Sequence, residues 1–173
     1  MEFTEVIKHR HTTRRYTAQP VEDEKLQRIL EAGCAAPVGR SLYKSLHITV
    51  VRSREVLDMI REASKAAVKF DLLHGAGTFI VLSSNGDPLL PNIEYSNAAC
   101  VIENMLLSAT EQGLGSCYLW GVAGIINESP EILATLGIPD GFRAVSGMIL
   151  GYADETKDKT KTLSTEKIEI NYI

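Results

Sequence analysis

Residues 93–115, IEYSNAACVIENMLLSATEQGLG, contain the clearest helix signal in this chain. The apolar side chains of this stretch recur at helical spacing and almost encircle the helix axis: Ala98, Ala99, Val101, Ile102, Met105, Leu106, Leu107 and Ala109. A helix that is apolar nearly all round cannot face water on most of its surface. We therefore predict a helix over about residues 93–112 that is buried on most sides.

Helices and strands alternate on both sides of this central helix. Helical spacing also covers about residues 2–10, 20–37 and 54–70, and Ser129 followed by Pro130 predicts the start of another helix. Apolar or β-branched runs predict strands at about 46–51, 78–84, 116–121 and 144–151. This order predicts one domain over residues 1–173 of the α/β or α+β class, and it is too irregular for a doubly wound sheet.

The C-terminal stretch KIEINYI, residues 167–173, alternates apolar and polar side chains. Ile168, Ile170 and Tyr172 would share one face of a strand. On a monomer such a strand would expose an apolar face and an unpaired edge. The pattern therefore predicts that a partner subunit covers this tail, and the nearly encircled central helix points the same way.

The composition limits the classes of function. The chain has 173 residues, of which 45% are hydrophobic and 23% charged, and a net charge of −4 at pH 7. Since nucleic-acid binders spread basic residues over a face, an acidic chain with concentrated basic residues argues against nucleic acid. Its apolar stretches are shorter than the roughly 20 residues of a membrane span, and no signal-peptide core follows Met1. We expect a cytoplasmic protein without a membrane partner.

Cysteine and histidine offer no metal-binding pattern. Cys34, Cys100 and Cys117 are isolated in apolar or small-residue settings, and we expect them to be buried in a reducing compartment. The four histidines, at positions 9, 11, 47 and 74, lack the spacing of metal ligands. We therefore predict no metal site.

Two short basic clusters stand out in this acidic chain. KHRHTTRRY, residues 8–16, places Arg10 and Arg14 around two threonine hydroxyls, which suits a phosphate group. ETKDKTK, residues 155–161, places Lys159 and Lys161 on one side of an extended segment. Each cluster alone could also be a solvated charged turn. Together they favour a site for one small anion.

Five stretches, in order along the chain, resemble the motifs of the flavin-dependent nitroreductase family. They are RHTTRRY, ILEAGCAAPVGRSLYKSLHITVV, AACVIENMLLSATEQGLGSCYLWG, LGIPDGFRAVSGMILGY and KTKTL. Each motif is weak alone, but five in the right order and at the right intervals are specific. The resemblance spans nearly the whole chain.

The resemblance implies an α+β three-layer fold, in which helices flank a central, mostly antiparallel sheet. It also implies an entwined homodimer with two FMN sites in the interface and with about residues 163–173 as an arm that pairs with the partner. Residues implied to hold the FMN phosphate and ribityl chain are Arg10, His11, Thr12, Arg14, Lys159 and Lys161. The flavin would be covered by four residues of the other subunit: Pro37, Val38, Gly39 and Ser41. Its ring would lie along four further residues: Tyr118, Leu119, Trp120 and Gly121.

The stretch APVGRSLYKS departs from the family pattern A-P-S-x-x-N-x-Q-P-W. Val38, Ser41, Tyr43 and Ser45 replace the usual Ser, Asn, Gln and Trp. The acceptor pocket therefore differs from that of other members, and our candidates for its lining are Arg40, Tyr43 and Trp120. If Arg40 or Lys44 faces this pocket rather than water, the pocket should favour anionic acceptors.

The implied activity is that of an FMN-dependent NAD(P)H oxidoreductase of the nitroreductase type. In ping-pong order, NAD(P)H would deliver hydride to FMN N5 and leave, and a nitroaromatic, quinone or similar small acceptor would then take the electrons. No catalytic side chain is implied, because the flavin carries the chemistry. Two alternatives stay open: a flavin-binding relative with oxidase, dehalogenase-like or storage function, and a non-enzymatic binder of another phosphorylated metabolite.

Overall fold

The computed structural model describes residues 1–154 and 160–173. These residues form six α-helices: α1 (Phe3–His9), α2 (Asp23–Cys34), α3 (Arg54–Val68), α4 (Ile93–Glu111), α5 (Val122–Asn127) and α6 (Pro130–Thr135). The same described ranges contain four strands: β1 (Leu46–Val51), β2 (Thr78–Ser84), β3 (Gly115–Leu119) and β4 (Arg143–Gly151). The sequence predicted each of these elements except α5. Ser129 caps α6 as expected, because its side chain accepts a hydrogen bond from the Ile132 N–H at 3.3 Å.

The four strands form one antiparallel sheet in the order β1-β2-β4-β3. The central strand β2 is buried on both faces, which explains its continuous apolar sequence. Ile80 and Leu82 pack in the layer that contains α2 and α4, whereas Phe79 and Val81 pack in the layer that contains α3, α5 and α6. The expected α+β class with an antiparallel sheet between helices is confirmed.

Helix α4 is buried only on the side that faces the sheet and α2. Ala98, Val101 and Met105 lie in the core, but Tyr95, Ala99, Cys100, Glu103 and other residues on the opposite side are exposed. A single chain does not bury this helix on most sides, because α1, α2 and the sheet do not surround it. For the same reason Cys100 is exposed, as is Cys34, and of the three cysteines Cys117 alone is buried. Burial of the outer face of α4 by a partner subunit stays a prediction.

The C-terminal tail forms no strand in this chain. Residues 162–173 are all exposed, with Ile168 at 76% and Tyr172 at 88% of full exposure. The strand suggested by the alternating sequence is therefore absent from the single chain, where no strand lies alongside the tail. Pairing of the arm with a partner subunit stays a prediction. None of the helices that the structure describes is long and apolar enough to cross a membrane.

Gly147 lies at the centre of the sheet, and we expect Gly147→Ala to destabilise the fold. A Cβ there would lie 2.6 Å from the Ile80 carbonyl oxygen and 2.7 Å from the Phe79 ring. Since backbone cannot move aside easily, the expected loss in the free energy of unfolding is about 1–3 kcal/mol. Urea denaturation measures it. The control is Gly124→Ala in α5, where an added Cβ would meet no atom within 4 Å apart from its chain neighbours and the backbone of its own helix. Equal stability of the two variants would contradict the prediction.

Candidate functional site

The N-terminal basic segment is held along β3. The Thr13 N–H donates to the Ser116 carbonyl at 2.8 Å, and Thr12 forms a parallel bridge to Ser116. Thr13 is completely buried, and a Cβ at Gly115 would lie only 2.7 Å from its hydroxyl oxygen. The glycine therefore allows the segment to approach the strand closely. The prediction that both threonine hydroxyls face a phosphate group is therefore wrong for Thr13, whose side chain is buried against Gly115. The sequence does not reveal this packing, because Gly115 is 102 positions away.

Arg10 and Arg14 both lie close to β3. Burial raises the pKa of the Cys117 thiol in that strand, and the positive charges of Arg14 and Arg10 oppose the rise. His11 beside them is half-buried and turns its Nδ1 to the His9 carbonyl at 2.8 Å. The structure thus brings the predicted N-terminal site residues together at one edge of the sheet.

Lys161 joins this group from the other end of the chain. Its N–H donates to the Lys8 carbonyl at 2.9 Å, which attaches the C-terminal segment to the end of α1. Burial lowers the pKa of Lys161, and the charges of Arg10 and Lys167 lower it further, while Glu103 opposes them. Lys161 therefore lies near Arg10 in a setting that already carries positive charge. Lys159 lies outside the described residues.

This donor set fits a phosphate group. Across residues 1–154 and 160–173, the side chains of Arg10, Arg14 and Lys161 make no hydrogen bond or ion pair. Two forked guanidiniums and one ammonium are suited to phosphate oxygens, and no side chain among the described residues occupies them. Burial is the main cause of the lowered pKa of Lys161, and the neighbouring charge of Arg10 adds to it. The residues present fit the phosphate of the FMN that the resemblance implies.

The turn after β3 is the second part of the candidate site. Tyr118 and Leu119 end the strand, and Trp120 follows with 68% of its surface exposed. Gly121 precedes α5, whose first turn is closed by a hydrogen bond from the Ala123 N–H to the Trp120 carbonyl at 3.2 Å. This turn continues the strand that holds the cations, so both parts lie along one sheet edge.

The loop at residues 37–41 lies elsewhere. It precedes β1, at the opposite edge of the sheet from β3, and three strand spacings amount to about 14 Å. Val38 is buried, the Gly39 N–H donates to Asn97 Oδ1 at 2.9 Å, and Pro37 and Ser41 are exposed. One chain therefore does not bring this loop to the cations at β3.

Two of the acceptor-pocket candidates have partners in the chain. The Arg40 guanidinium lies 3.6 Å from the Asp87 carboxylate, and the Tyr43 hydroxyl donates to the Ala36 carbonyl at 3.2 Å. Both side chains are about half exposed. The third candidate, Trp120, lies at the other sheet edge.

His74 is a neighbour of the site that sequence analysis did not single out. Burial lowers its pKa below the ordinary value of about 6.5, the nearby charge of Arg14 lowers it further, and Asp71 opposes the shift. Its position beside Arg14 results from the turn that follows α3, which no local motif reveals. His74 also has a φ of 50°, in the left-handed region.

Acidification should destabilise the protein partly through His74. Because the folded state lowers this pKa, the unfolded chain takes up a proton first as the pH falls through about 6.5. The free energy of unfolding should therefore fall through this range and level off below the folded-state pKa. His74→Asn, which tolerates a left-handed φ, should reduce the loss between pH 7.5 and 5 in urea denaturation. An identical pH dependence of variant and wild type would contradict this.

Comparison with known proteins identifies the family. The sequence model of the Nitroreductase family matches residues 7–72 and 61–152. A protein of Archaeoglobus fulgidus, provisionally named as an NADH dehydrogenase/NAD(P)H nitroreductase, is 31% identical over 161 residues, 91% of this chain and 88% of that protein. The NADPH-flavin oxidoreductase of Vibrio harveyi is 26% identical over 166 residues, 88% of this chain and 66% of that protein.

A solved structure agrees in fold. The crystal structure of a nitroreductase with bound FMN from Bacteroides fragilis superposes on this chain with a TM-score of 0.83 and 29% identity. The match covers 99% of this chain and 100% of that chain. With the family match on both halves of the sequence and the shared fold, this chain belongs to the nitroreductase family.

Proposed function

We propose that this protein is an FMN-dependent NAD(P)H oxidoreductase that works as a homodimer. The observation that carries the proposal is the convergence of Arg10, Arg14 and Lys161 at the edge of β3, where none of the three has an anionic partner among residues 1–154 and 160–173. The relatives support it, since one is described with bound FMN and another as an NADPH-flavin oxidoreductase.

Each part of the site has a role in this proposal. Arg10, Arg14 and Lys161, joined by His11, Thr12 and Lys159, would hold the FMN phosphate and ribityl chain. The turn at residues 118–121 would lie along the flavin ring. When bound, FMN supplies hydride acceptance from NAD(P)H and electron delivery to a second substrate. The protein contributes binding and orientation, and NAD(P)⁺ would leave before a nitroaromatic, quinone or similar acceptor enters.

Two features of the single chain support the proposed homodimer. The loop at residues 37–41 and the cations at β3 lie on opposite sheet edges, so the loop would cover the flavin bound mainly by the partner subunit. The outer face of α4 and the apolar side chains of the tail are exposed, and burial against a second copy would remove them from water.

The acceptor itself is proposed only by class. Arg40 lies in the covering loop with its guanidinium half exposed and 3.6 Å from Asp87. Because Asp87 offsets part of its charge, the pocket would be less cationic than the sequence alone suggests. Neutral and anionic aromatic acceptors are both compatible with this arrangement.

Two spectroscopic measurements test the proposed function. The purified protein should be yellow, with the visible absorption bands of a flavin, and anaerobic addition of NADH or NADPH should bleach those bands. Adding a quinone or a nitroaromatic should then restore them. Bound flavin that neither nicotinamide bleaches would favour an oxidase, dehalogenase-like or storage role. A colourless protein that does not bind added FMN would exclude the flavin proposal altogether.

A further inference from the structure

The loop at residues 37–41 has a strained backbone. Arg40 and Ser41 are consecutive non-glycine residues with φ of 54° and 56°, in the left-handed region. Side chains with a Cβ rarely adopt this conformation, and it persists only where the surrounding structure holds it. Contacts with the rest of the chain must therefore hold this loop in place.

Besides the ion pair of Arg40 with Asp87 at the surface, helix α4 holds the loop from the core through Asn97. The Gly39 N–H donates to Asn97 Oδ1 at 2.9 Å, immediately before the two strained residues. The loop also packs tightly on the helix, because a Cβ at Gly39 would lie 2.5 Å from the Ile93 side chain. Asn97 itself is only 4% exposed, so its amide is fixed by the core and can fix the loop in turn.

The amide nitrogen of Asn97 does not contribute a hydrogen bond to the fold. Its Nδ2 is buried and has no hydrogen-bond partner within the described part of the chain. A buried donor without a partner destabilises the folded state, whereas leucine has the same branched shape without polar atoms. Leucine at position 97 should therefore give a more stable fold than asparagine. We infer that the role of Asn97 is its hydrogen bond to the loop.

We propose that Asn97 is a positioning residue, which holds the loop at residues 37–41 in the conformation that covers the FMN of the partner subunit. This proposal rests on the proposed function, in which that loop closes the flavin site. Asn97 acts through Gly39 and touches neither the cofactor nor the reacting atoms. The unpaired Nδ2 of Asn97 destabilises the fold, and in return the loop already has its binding conformation before the ligand arrives.

The test compares FMN affinity with stability in three variants. Asn97→Leu should raise the Kd for FMN by about tenfold, the value of one lost hydrogen bond, without lowering the Tm. Asn97→Asp keeps an acceptor oxygen and should retain FMN affinity while lowering the Tm, because a buried carboxylate is costly. The matched control is Asn104→Leu on the same helix, whose Nδ2 donates to the Ala32 carbonyl at 3.0 Å, away from the loop, and its Kd should equal that of the wild type.

Hydrogen–deuterium exchange provides a readout that needs no FMN. In the apo-protein, the Gly39 amide and its neighbours through Leu42 should exchange faster in Asn97→Leu and at the wild-type rate in Asn104→Leu. Unchanged Kd or unchanged exchange in Asn97→Leu would overturn the proposal. Failure of the wild type to bind FMN would refute the proposed function and the cofactor part of this inference, while exchange would still show whether Asn97 holds the loop.

Discussion

Replacing Arg10 and Arg14 together by alanine is expected to raise the Kd for FMN by about 10²- to 10⁴-fold. Each guanidinium would lose a charge-assisted contact to the phosphate, worth roughly 1.5–3 kcal/mol, and every 1.4 kcal/mol is about tenfold in Kd. Fluorescence quenching of FMN titrated with apo-protein measures the change. The fold should survive, because neither side chain has a partner in the described chain.

Arg15→Ala is the matched control for the arginine pair. Arg15 lies in the same segment and carries the same charge, but nothing in the sequence or structure assigns it to the phosphate group. Its loss should change FMN affinity little, and raised salt should weaken binding in the wild type more than in the double variant. Stoichiometric FMN that stays with the double variant through gel filtration would disprove the phosphate site.

Deleting residues 163–173 is expected to weaken the dimer and to reduce both solubility and FMN occupancy. The tail exposes apolar side chains on a single chain, with Ile168 at 76% and Ile170 at 49% of full exposure. Burial of one such side chain contributes about 1.5–3 kcal/mol, and the deletion removes two from each of the two arms, so the dimer Kd should rise by about 10⁴-fold or more. FMN should be lost as well, because the proposed site is assembled from two subunits.

Apolar and polar side chains alternate in the tail, so the interface can also be tested with substitutions that leave the chain length unchanged. Replacing Ile168 and Ile170 by serine should weaken the dimer, whereas replacing Glu169 and Asn171 by serine should not, because successive side chains of a strand point to opposite faces. Light scattering combined with gel filtration gives the mass of each variant. A folded, flavin-loaded monomer of the intact chain would show that the interface argument is wrong.

Local patterns in the sequence were sufficient to predict most helices and strands of the fold. The apolar spacing of α4, the continuous apolar run of β2 and the Ser129 cap of α6 each depend on residues within a few positions of one another. Helix α5 was missed because six residues give less than two turns, too few for a periodic pattern. The family motifs allowed the cofactor and the site residues to be proposed from the sequence.

Contacts between distant residues decided the rest, and no local pattern encodes them. Thr13 approaches β3 because Gly115 leaves space for it, and Lys161 reaches Arg10 because its backbone pairs with Lys8. The outer face of α4 is exposed because the other elements of one chain cover only its inner side. Periodicity shows that a face is apolar, but which element covers that face, and whether it belongs to the same chain, depends on how the layers pack.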